Sequence, residues 1–438
     1  VGIFMTQSCP KFCNLSRRTI ENTALYLIFV GIYCFSLNSI PGKLELFESW
    51  VDFYLPNFER EWRFILHETF SMRPNDSNQS VNAPIWFVLI KASFWIFDKT
   101  IFAYRIPCVL LTALAPVLMA EIVRRFFRPN LALLAGILVG SNQHVISFGR
   151  TGGYIGPTLT LLLAIILFGF AVAFEARRRA WIPLALCLLM VPFFYSTVRY
   201  FCLIGILPIL YKFLTSKEFR KTDLIPAVVT VAALAVLGLA LTQGGKLEEA
   251  LVFISARGEQ FLITDKTVAE GFEAATIQPQ YRLSSMLTEM IPQRLDQLST
   301  FYTGGRRFFN HRYFAKPPTG PLQPIQSWLL ICMGLGVVSC LFKSLKAPHY
   351  LVLLVWSVWS WVPLLVTTGI TPNRMLLGIP ADLFIALLGA CVPLDFVAKY
   401  LPPHFKSVPY MALWIVVALI SYDSITAYYN AYIEFPNL

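Results

Sequence analysis

Charge is what this 438-residue chain has least of: 14% of its residues are charged, against 56% hydrophobic. A globular domain carries about 25% charged residues, so too few are present to coat a water-facing surface around so large an apolar fraction. Acidic residues are scarcer than basic ones, 25 Asp and Glu against 36 Lys and Arg, leaving a formal net charge of +11. With so few charges in total, that excess does not describe a nucleic-acid-binding surface, and no nucleic-acid partner is expected. Cysteine gives no framework: the nine cysteines are odd in number and mostly sit singly in apolar runs, where they act as small core residues. The close pair, Cys9 and Cys13, has no second Cys or His pair beside it to complete a zinc-type ligand set. No internal repeat is obvious, and the short cytoplasmic loops have no Walker-type phosphate loop, which argues against ATP-driven transport by this chain alone.

What is present is a series of apolar runs near 23–38, 104–123, 131–148, 154–174, 181–196, 198–214, 224–241, 326–342, 350–368, 374–394 and 408–428. A helix needs about 20 such residues to cross a hydrocarbon core, so the chain reads as an all-α polytopic membrane protein with about eleven transmembrane helices. The chain begins with Val, and its first run, Thr23 to Leu37, follows Arg17 and Arg18 without a small-residue cleavage pattern. It is expected to be a retained span. Basic residues cluster on alternate connections: Lys11/Arg17/Arg18, Arg124/Arg125/Arg128, Arg177/Arg178/Arg179, Lys217/Arg220/Lys221, Lys343/Lys346 and Lys399/Lys406. By the positive-inside rule the N-terminus is cytoplasmic and the C-terminus external.

Residues 1–22 are then a cytoplasmic N-terminus, 23–241 an N-terminal transmembrane module, 242–324 a large external loop and 325–438 a C-terminal transmembrane module. The first external loop, 39–103, carries amphipathic segments at Leu44–Leu55 and Phe58–Phe70. The apolar stretch Ala83 to Phe97 is short and has Lys91 at its middle, so it is expected to lie flat at the interface rather than cross. A helix is also expected at Tyr281–Thr300.

Polar groups at external span ends are the functional candidates, because ionisable residues at membrane depth are costly. Glu59 and Glu61, on an interfacial helix beside arginines that keep them ionised, suit a general base. An amphipathic surface helix would carry a polar face in any case. Arg150 lies among glycines in Ser147-Phe148-Gly149-Arg150-Thr151-Gly152-Gly153-Tyr154, Arg199 in the turn Tyr195-Ser196-Thr197-Val198-Arg199, and Arg374 in Thr371-Pro372-Asn373-Arg374. One such arginine is an ordinary interface anchor. Three on one face form a receptor for an anionic lipid headgroup.

The order of these features resembles the polytopic GT-C glycosyltransferases, and within them the bacterial dolichyl-phosphate-mannose-protein-mannosyltransferase-like group of family 39, related to the lipid A aminoarabinose transferases. The resemblance is carried by Tyr104-Arg105-Ile106-Pro107 and by Ser141-Asn142-Gln143-His144-Val145-Ile146-Ser147-Phe148-Gly149-Arg150. It continues in the Tyr195 to Arg199 turn, in Phe301-Tyr302-Thr303-Gly304-Gly305 with Asn310 and Pro317, and in Asn373-Arg374 leading to Pro380. It implies a GT-C-like fold that moves a sugar from a polyprenyl-phosphate carrier to an acceptor at the outer face of a bacterial inner membrane, with inversion. Glu59 or Glu61 would be the base. Arg150, Arg199 and Arg374 would hold the carrier phosphate, and Tyr154, Tyr195 and Asn310 would contact substrate. The lipid-linked sugar donor and the bilayer are the expected partners. The resemblance implies no particular cofactor and leaves room for a divalent metal.

Four positions depart from the family pattern. Phe58-Glu59-Arg60-Glu61-Trp62 stands where an Asp-Glu pair is expected, Ala83-Pro84 replaces His-Pro or Lys-Pro, Gly156-Pro157 replaces the Asp-Pro of the aminoarabinose branch, and Gly305-Arg306 replaces Gly-Asp. These departures support an alternative, a catalytically degenerate protein on the same fold serving as a structural or interaction subunit of a larger membrane complex. A secondary transporter would need charge and broken helices near mid-depth, and the apolar runs are largely clean there.

Overall fold

A computed structural model of the chain describes residues 11–39, 84–151, 153, 155–175, 177–191, 194, 197–242, 327–361 and 376–433. Among the described residues the regular structure is entirely helical, and each of the apolar runs is helical over most of its described length. The all-α polytopic fold expected from the sequence is the one observed. The first run is α1 (Lys11–Cys34). A shorter helix, α2 (Pro84–Phe97), precedes α3 (Ile101–Thr112) and α4 (Leu114–Phe126). Then come α5 (Ala132–Ser141), α6 (Gln143–Arg150), α7 (Ile155–Glu175), α8 (Trp181–Met190), α9 (Thr197–Thr215) and α10 (Lys217–Thr242). The C-terminal module supplies α11 (Ser327–Ser344), α12 (His349–Trp359), α13 (Ile379–Tyr400) and α14 (Val408–Ile433).

Four stretches are long and apolar enough to cross a membrane unaided: Ile101–Phe126, Ile155–Glu175, Ile379–Tyr400 and Pro403–Asn430. A fifth is broken, and here the expected span over 131–148 is corrected. It bends by 59° between Ser141 and Gln143, at Asn142, whose backbone is extended (φ −64°, ψ 131°) and whose side chain accepts a hydrogen bond from the His144 amide. The competition of an Asn side chain with the helix ladder explains the break. The runs at 181–196 and 350–368 yield the shorter helices α8 and α12, and most of what remains of each lies outside the described residues.

Helix α2 occupies the stretch expected to lie flat. Its 14 residues reach about 21 Å at 1.5 Å per residue, short of a ~30 Å hydrocarbon core. Trp86 and Ile90 are buried on one face, while Trp95 and Ile96 are exposed. The chain reverses into α3 through Asp98, whose φ of +56° is left-handed, and Thr100 caps the new helix by accepting from the Ala103 amide. The helices expected at Leu44–Leu55, Phe58–Phe70 and Tyr281–Thr300 lie outside the described residues.

The core runs through three close helix pairs, α4 with α5, α7 with α9, and α11 with α13. In the last, Gly336 faces the Ile385 carbonyl and Gly389 faces the Cys332 carbonyl so tightly that a Cβ at either would collide with backbone. Small residues at such a crossing let two backbones approach, which is how helices gain packing where lipid removes any hydrophobic drive between them. Helix α1 joins through Leu25, Phe29 and Tyr33, a buried row at fourfold spacing, and the turn after it buries Leu37. Helices α10 and α14 form the rim. Only 28% of the α14 window is buried within the protein, and its exposed Met411, Ile415 and Leu419 suit contact with acyl chains.

Candidate functional site

The alternating helices place their termini in two groups. One contains the start of α1, the ends of α4, α7 and α13, and the start of α14, and it is held by arginine–carboxylate pairs. Arg18 Nε donates to Glu121 Oε1 at 2.9 Å. Arg124 donates to Asn22 Oδ1 at 3.0 Å and to Glu21 Oε2 at 3.0 Å, and it also pairs with Glu121. Arg125 Nε donates to Glu175 Oε1 at 2.9 Å, and Arg177 pairs with the same carboxylate. Arg128 grips Asp395 with both terminal nitrogens, at 2.8 and 3.0 Å, and that hydrogen bond holds its guanidinium protonated beyond the ordinary arginine range. Arg18 goes the other way, lowered by partial burial and then by the neighbouring Arg125 and Arg124. His349 packs among Phe127, Phe174 and Tyr350, and this apolar cage lowers its pKa to about 4.

The opposite group contains the ends of α1, α6 and α14 and the starts of α3, α7, α9 and α13. Here α1 finishes through Ser36, which is left-handed at φ +49°. A helix end leaves its last carbonyls without partners and carries partial negative charge. Two arginines answer it. The fully buried Arg150 donates from Nη1 to the Tyr33 carbonyl at 2.5 Å, to the Phe35 carbonyl at 2.6 Å and to the Tyr429 hydroxyl at 2.8 Å. Its Nη2 reaches the Ser36 carbonyl at 3.3 Å. Arg105, equally buried, donates to the Leu37 carbonyl at 2.7 Å.

Tyr429 completes this collar. Its hydroxyl donates to the Ile32 carbonyl, and its ring lies 5.0 Å from the Arg150 guanidinium carbon, a cation–π contact made in a dry site. Tyr33 in turn donates to the Gly140 carbonyl at 2.8 Å. Gly149 and Gly156 let α6 and α7 close on this collar. A Cβ on Gly149 would meet the Thr112 and Tyr33 side chains at 3.2–3.3 Å, and one on Gly156 would strike the Phe148 carbonyl at 2.7 Å. Residue 39, at the collar, is the last described before the segment of sequence that carries Glu59 and Glu61.

Of the residues picked out from the sequence, Arg150 is the one whose side chain the structure describes, and its described contacts include the end of α1, Tyr429 and the Tyr428 ring. Arg199 stands in the first turn of α9, at the same end of the bundle, with its side chain outside the description. Glu59, Glu61, Tyr154, Tyr195, Asn310 and Arg374 lie outside the described residues. Three groups at this end escaped the sequence reading. Arg105 and Tyr429 are two. The third is Asp382, a buried carboxylate in the first turn of α13 that accepts from the Ser357 hydroxyl. Arg105 was visible in the Tyr-Arg-Ile-Pro motif, and Asp382 as an acid just after Pro380. Among the described residues no group of three His, Cys, Asp or Glu side chains converges as a metal would need.

Residues 81–243 match the family model described as dolichyl-phosphate-mannose-protein mannosyltransferase, a stretch that runs from just before α2 to the end of α10 and is well under half of the chain. This is the family the motifs resemble. No curated protein matches the chain. Among solved structures, ArnT from Cupriavidus metallidurans bound to undecaprenyl phosphate is similar at 11% identity and a TM-score of 0.49, over 94% of this chain and 64% of that one. The apo state of the same protein gives 15% identity and a TM-score of 0.40, over 85% of this chain and 63% of that one. The chain thus spans somewhat less than two thirds of the length of the structures it matches.

Proposed function

We propose that this chain is a membrane glycosyltransferase that moves a sugar from a polyprenyl-phosphate carrier to an acceptor at the outer face of a bacterial inner membrane. The observation that carries this reading is the family match over residues 81–243, a stretch that contains both collar arginines, Arg105 and Arg150, and the Arg199 turn. The collar end of the bundle is then the outer end, and the arginine–carboxylate end, rich in basic connections, is cytoplasmic. The N-terminus is inside and the C-terminus outside.

In the proposed reaction Glu59 or Glu61 takes the proton from an acceptor hydroxyl or amine. The acceptor atom bonds to the anomeric carbon from the face opposite the carrier, and the carbon–oxygen bond to the phosphate breaks with its electron pair going to the phosphate. The configuration inverts. Arg199 and Arg374 receive the phosphate charge as it grows, the task for which a planar guanidinium fork is suited. Arg150 lies next to them in the scheme, and its described hydrogen bonds give it a second task, fixing the end of α1 from which the loop with the base departs. Tyr154, Tyr195 and Asn310 line the donor's path.

A second reading is favoured by one feature. At Gly156, where the aminoarabinose branch carries an aspartate, α7 packs against the Phe148 carbonyl with no room for a Cβ. That position serves packing here, which suits a fold-retaining, non-catalytic subunit of a larger complex.

The two readings separate in one assay. Protein in lipid nanodiscs, supplied with synthetic polyprenyl-phosphate hexoses and pentoses, releases carrier phosphate if it is a transferase, and Glu59→Gln with Glu61→Gln stops the release while the protein stays folded. No release with any donor, together with stable co-purification of one partner protein, selects the subunit reading.

A further inference from the structure

The arginine–carboxylate end uses its carboxylates unevenly. Arg17, Arg18, Arg124, Arg125, Arg128 and Arg177 each have an acidic partner. Arg178 and Arg179, between α7 and α8, and Lys217, Arg220 and Lys221, at the start of α10, are exposed, and none of the five forms an ion pair among the described residues. The two cation groups are tied together: the Trp181 indole nitrogen at the start of α8 donates to Asp223 Oδ1 at 2.8 Å, with Trp181 and Asp223 both buried. Asp223 is therefore committed to this joint, and the Thr222 hydroxyl donates to its other oxygen at 2.5 Å. Glu218 is the one exposed acid in the described part of the cluster. Both helices also begin here, so their partial positive ends add to the field.

Apolar surface starts where the cations stop. Ile182 and Leu186 on α8, and Ile225 and Val228 on α10, are all exposed, and they run along the bundle away from the charges. Uncompensated cations at one end of a strip of exposed aliphatic side chains match a molecule with an anionic head and hydrocarbon tails. A soluble anion would use the cations and leave the strip uncovered. We infer that the α8–α10 corner is a binding site for an anionic phospholipid, its phosphate held by Arg178, Arg179, Lys217, Arg220 and Lys221 and its acyl chains lying along α8 and α10. The site does not depend on the transferase reading, because it lies at the other end of the bundle from the collar.

The test uses the full chain in nanodiscs of phosphatidylcholine with a minor fraction of phosphatidylglycerol, followed by mass spectrometry of the lipid that stays bound on exchange into detergent. Wild type is expected to retain phosphatidylglycerol above its bulk fraction. The variant Arg178→Gln/Arg179→Gln/Lys217→Gln/Lys221→Gln is expected to lose it, each charge removed weakening retention about fivefold. Lys399→Gln/Lys406→Gln, exposed basic residues at the same end of the bundle but on another helix pair, is expected to keep it. Equal loss per charge removed in the two variants reduces the effect to general surface charge and overturns the site, as does a wild type without enrichment. Equal displacement of the lipid by inorganic phosphate alone overturns the acyl part. If the fourfold variant unfolds in pure phosphatidylcholine, Lys217→Gln/Lys221→Gln, confined to the exposed turn of α10, decides the same question.

Discussion

The two ends of the bundle handle arginine in opposite ways. At one end the guanidinium groups are partly exposed and pair with Glu21, Glu121, Glu175 and Asp395. At the other, Arg105 and Arg150 are fully buried, and their described acceptors are backbone carbonyls and a tyrosine hydroxyl. A carboxylate partner neutralises an arginine and uses up its charge. A helix end contributes only partial charge, so an arginine set there fixes geometry and keeps most of its positive field. The first arrangement welds helices at a wet boundary, and the second turns the exit of α1 into a rigid, positively charged rim.

From that contrast the largest expected loss of stability is that of Arg150→Gln. It leaves several carbonyls at the end of α1 and the Tyr429 hydroxyl short of a donor in a dry site, and charged hydrogen bonds contribute about 1.5–3 kcal/mol each. Thermal unfolding in nanodiscs should show a loss of at least about 3 kcal/mol, and an unchanged midpoint would break the comparison. Gly389→Ala comes next. Its new methyl would meet the Cys332 carbonyl, and overpacking of this kind costs about 1–3 kcal/mol, read in the same unfolding experiment. It involves no arginine, so it calibrates the collar against simple steric damage.

The effect of acid is smaller and belongs to the arginine–carboxylate end alone. His349 is depressed to about 4 by burial from an unfolded value near 6.5, so the folded protein binds fewer protons between those limits. Its contribution to stability is complete above about pH 6.5 and is lost as the pH falls toward 4. His349→Phe should flatten stability across that window, and a profile that keeps its slope would remove His349 as the cause. Smallest is Arg17→Gln. Its pair with Glu21 joins neighbouring turns of one helix, and the Arg17 side chain is 81% exposed, so the cost should be under about 1 kcal/mol and should vanish in high salt.

The fold was legible to the extent that it rests on length and hydrophobicity, since an apolar run in a charge-poor chain has little choice but helix. The bend at Asn142 was not, although Asn142-Gln143-His144 interrupts the apolar run in plain view. A polar residue inside a span signals a break only when its side chain competes with the ladder, and that depends on packing. Arg150 stood out because of its glycines, yet its acceptors are main-chain carbonyls, which leave no mark in a sequence. Glu121 and Glu175 pair across helices separated by long stretches of chain, so composition showed the basic residues as topology markers and hid the carboxylates that anchor them. Tyr429, at the far end of the chain from Tyr33, joins the collar only through the fold.

The proposed transferase function assigns the chemistry to the collar end and not to the ionic one. It is tested most directly by single-turnover release of carrier phosphate from a polyprenyl-phosphate sugar, comparing wild type, Glu59→Gln/Glu61→Gln and Arg17→Gln in the same nanodiscs. The account predicts release by wild type and Arg17→Gln at equal rates and a fall of at least about 100-fold in the double variant, the usual contribution of a general base. Undiminished release from a folded double variant, or none from wild type with any donor, would contradict it.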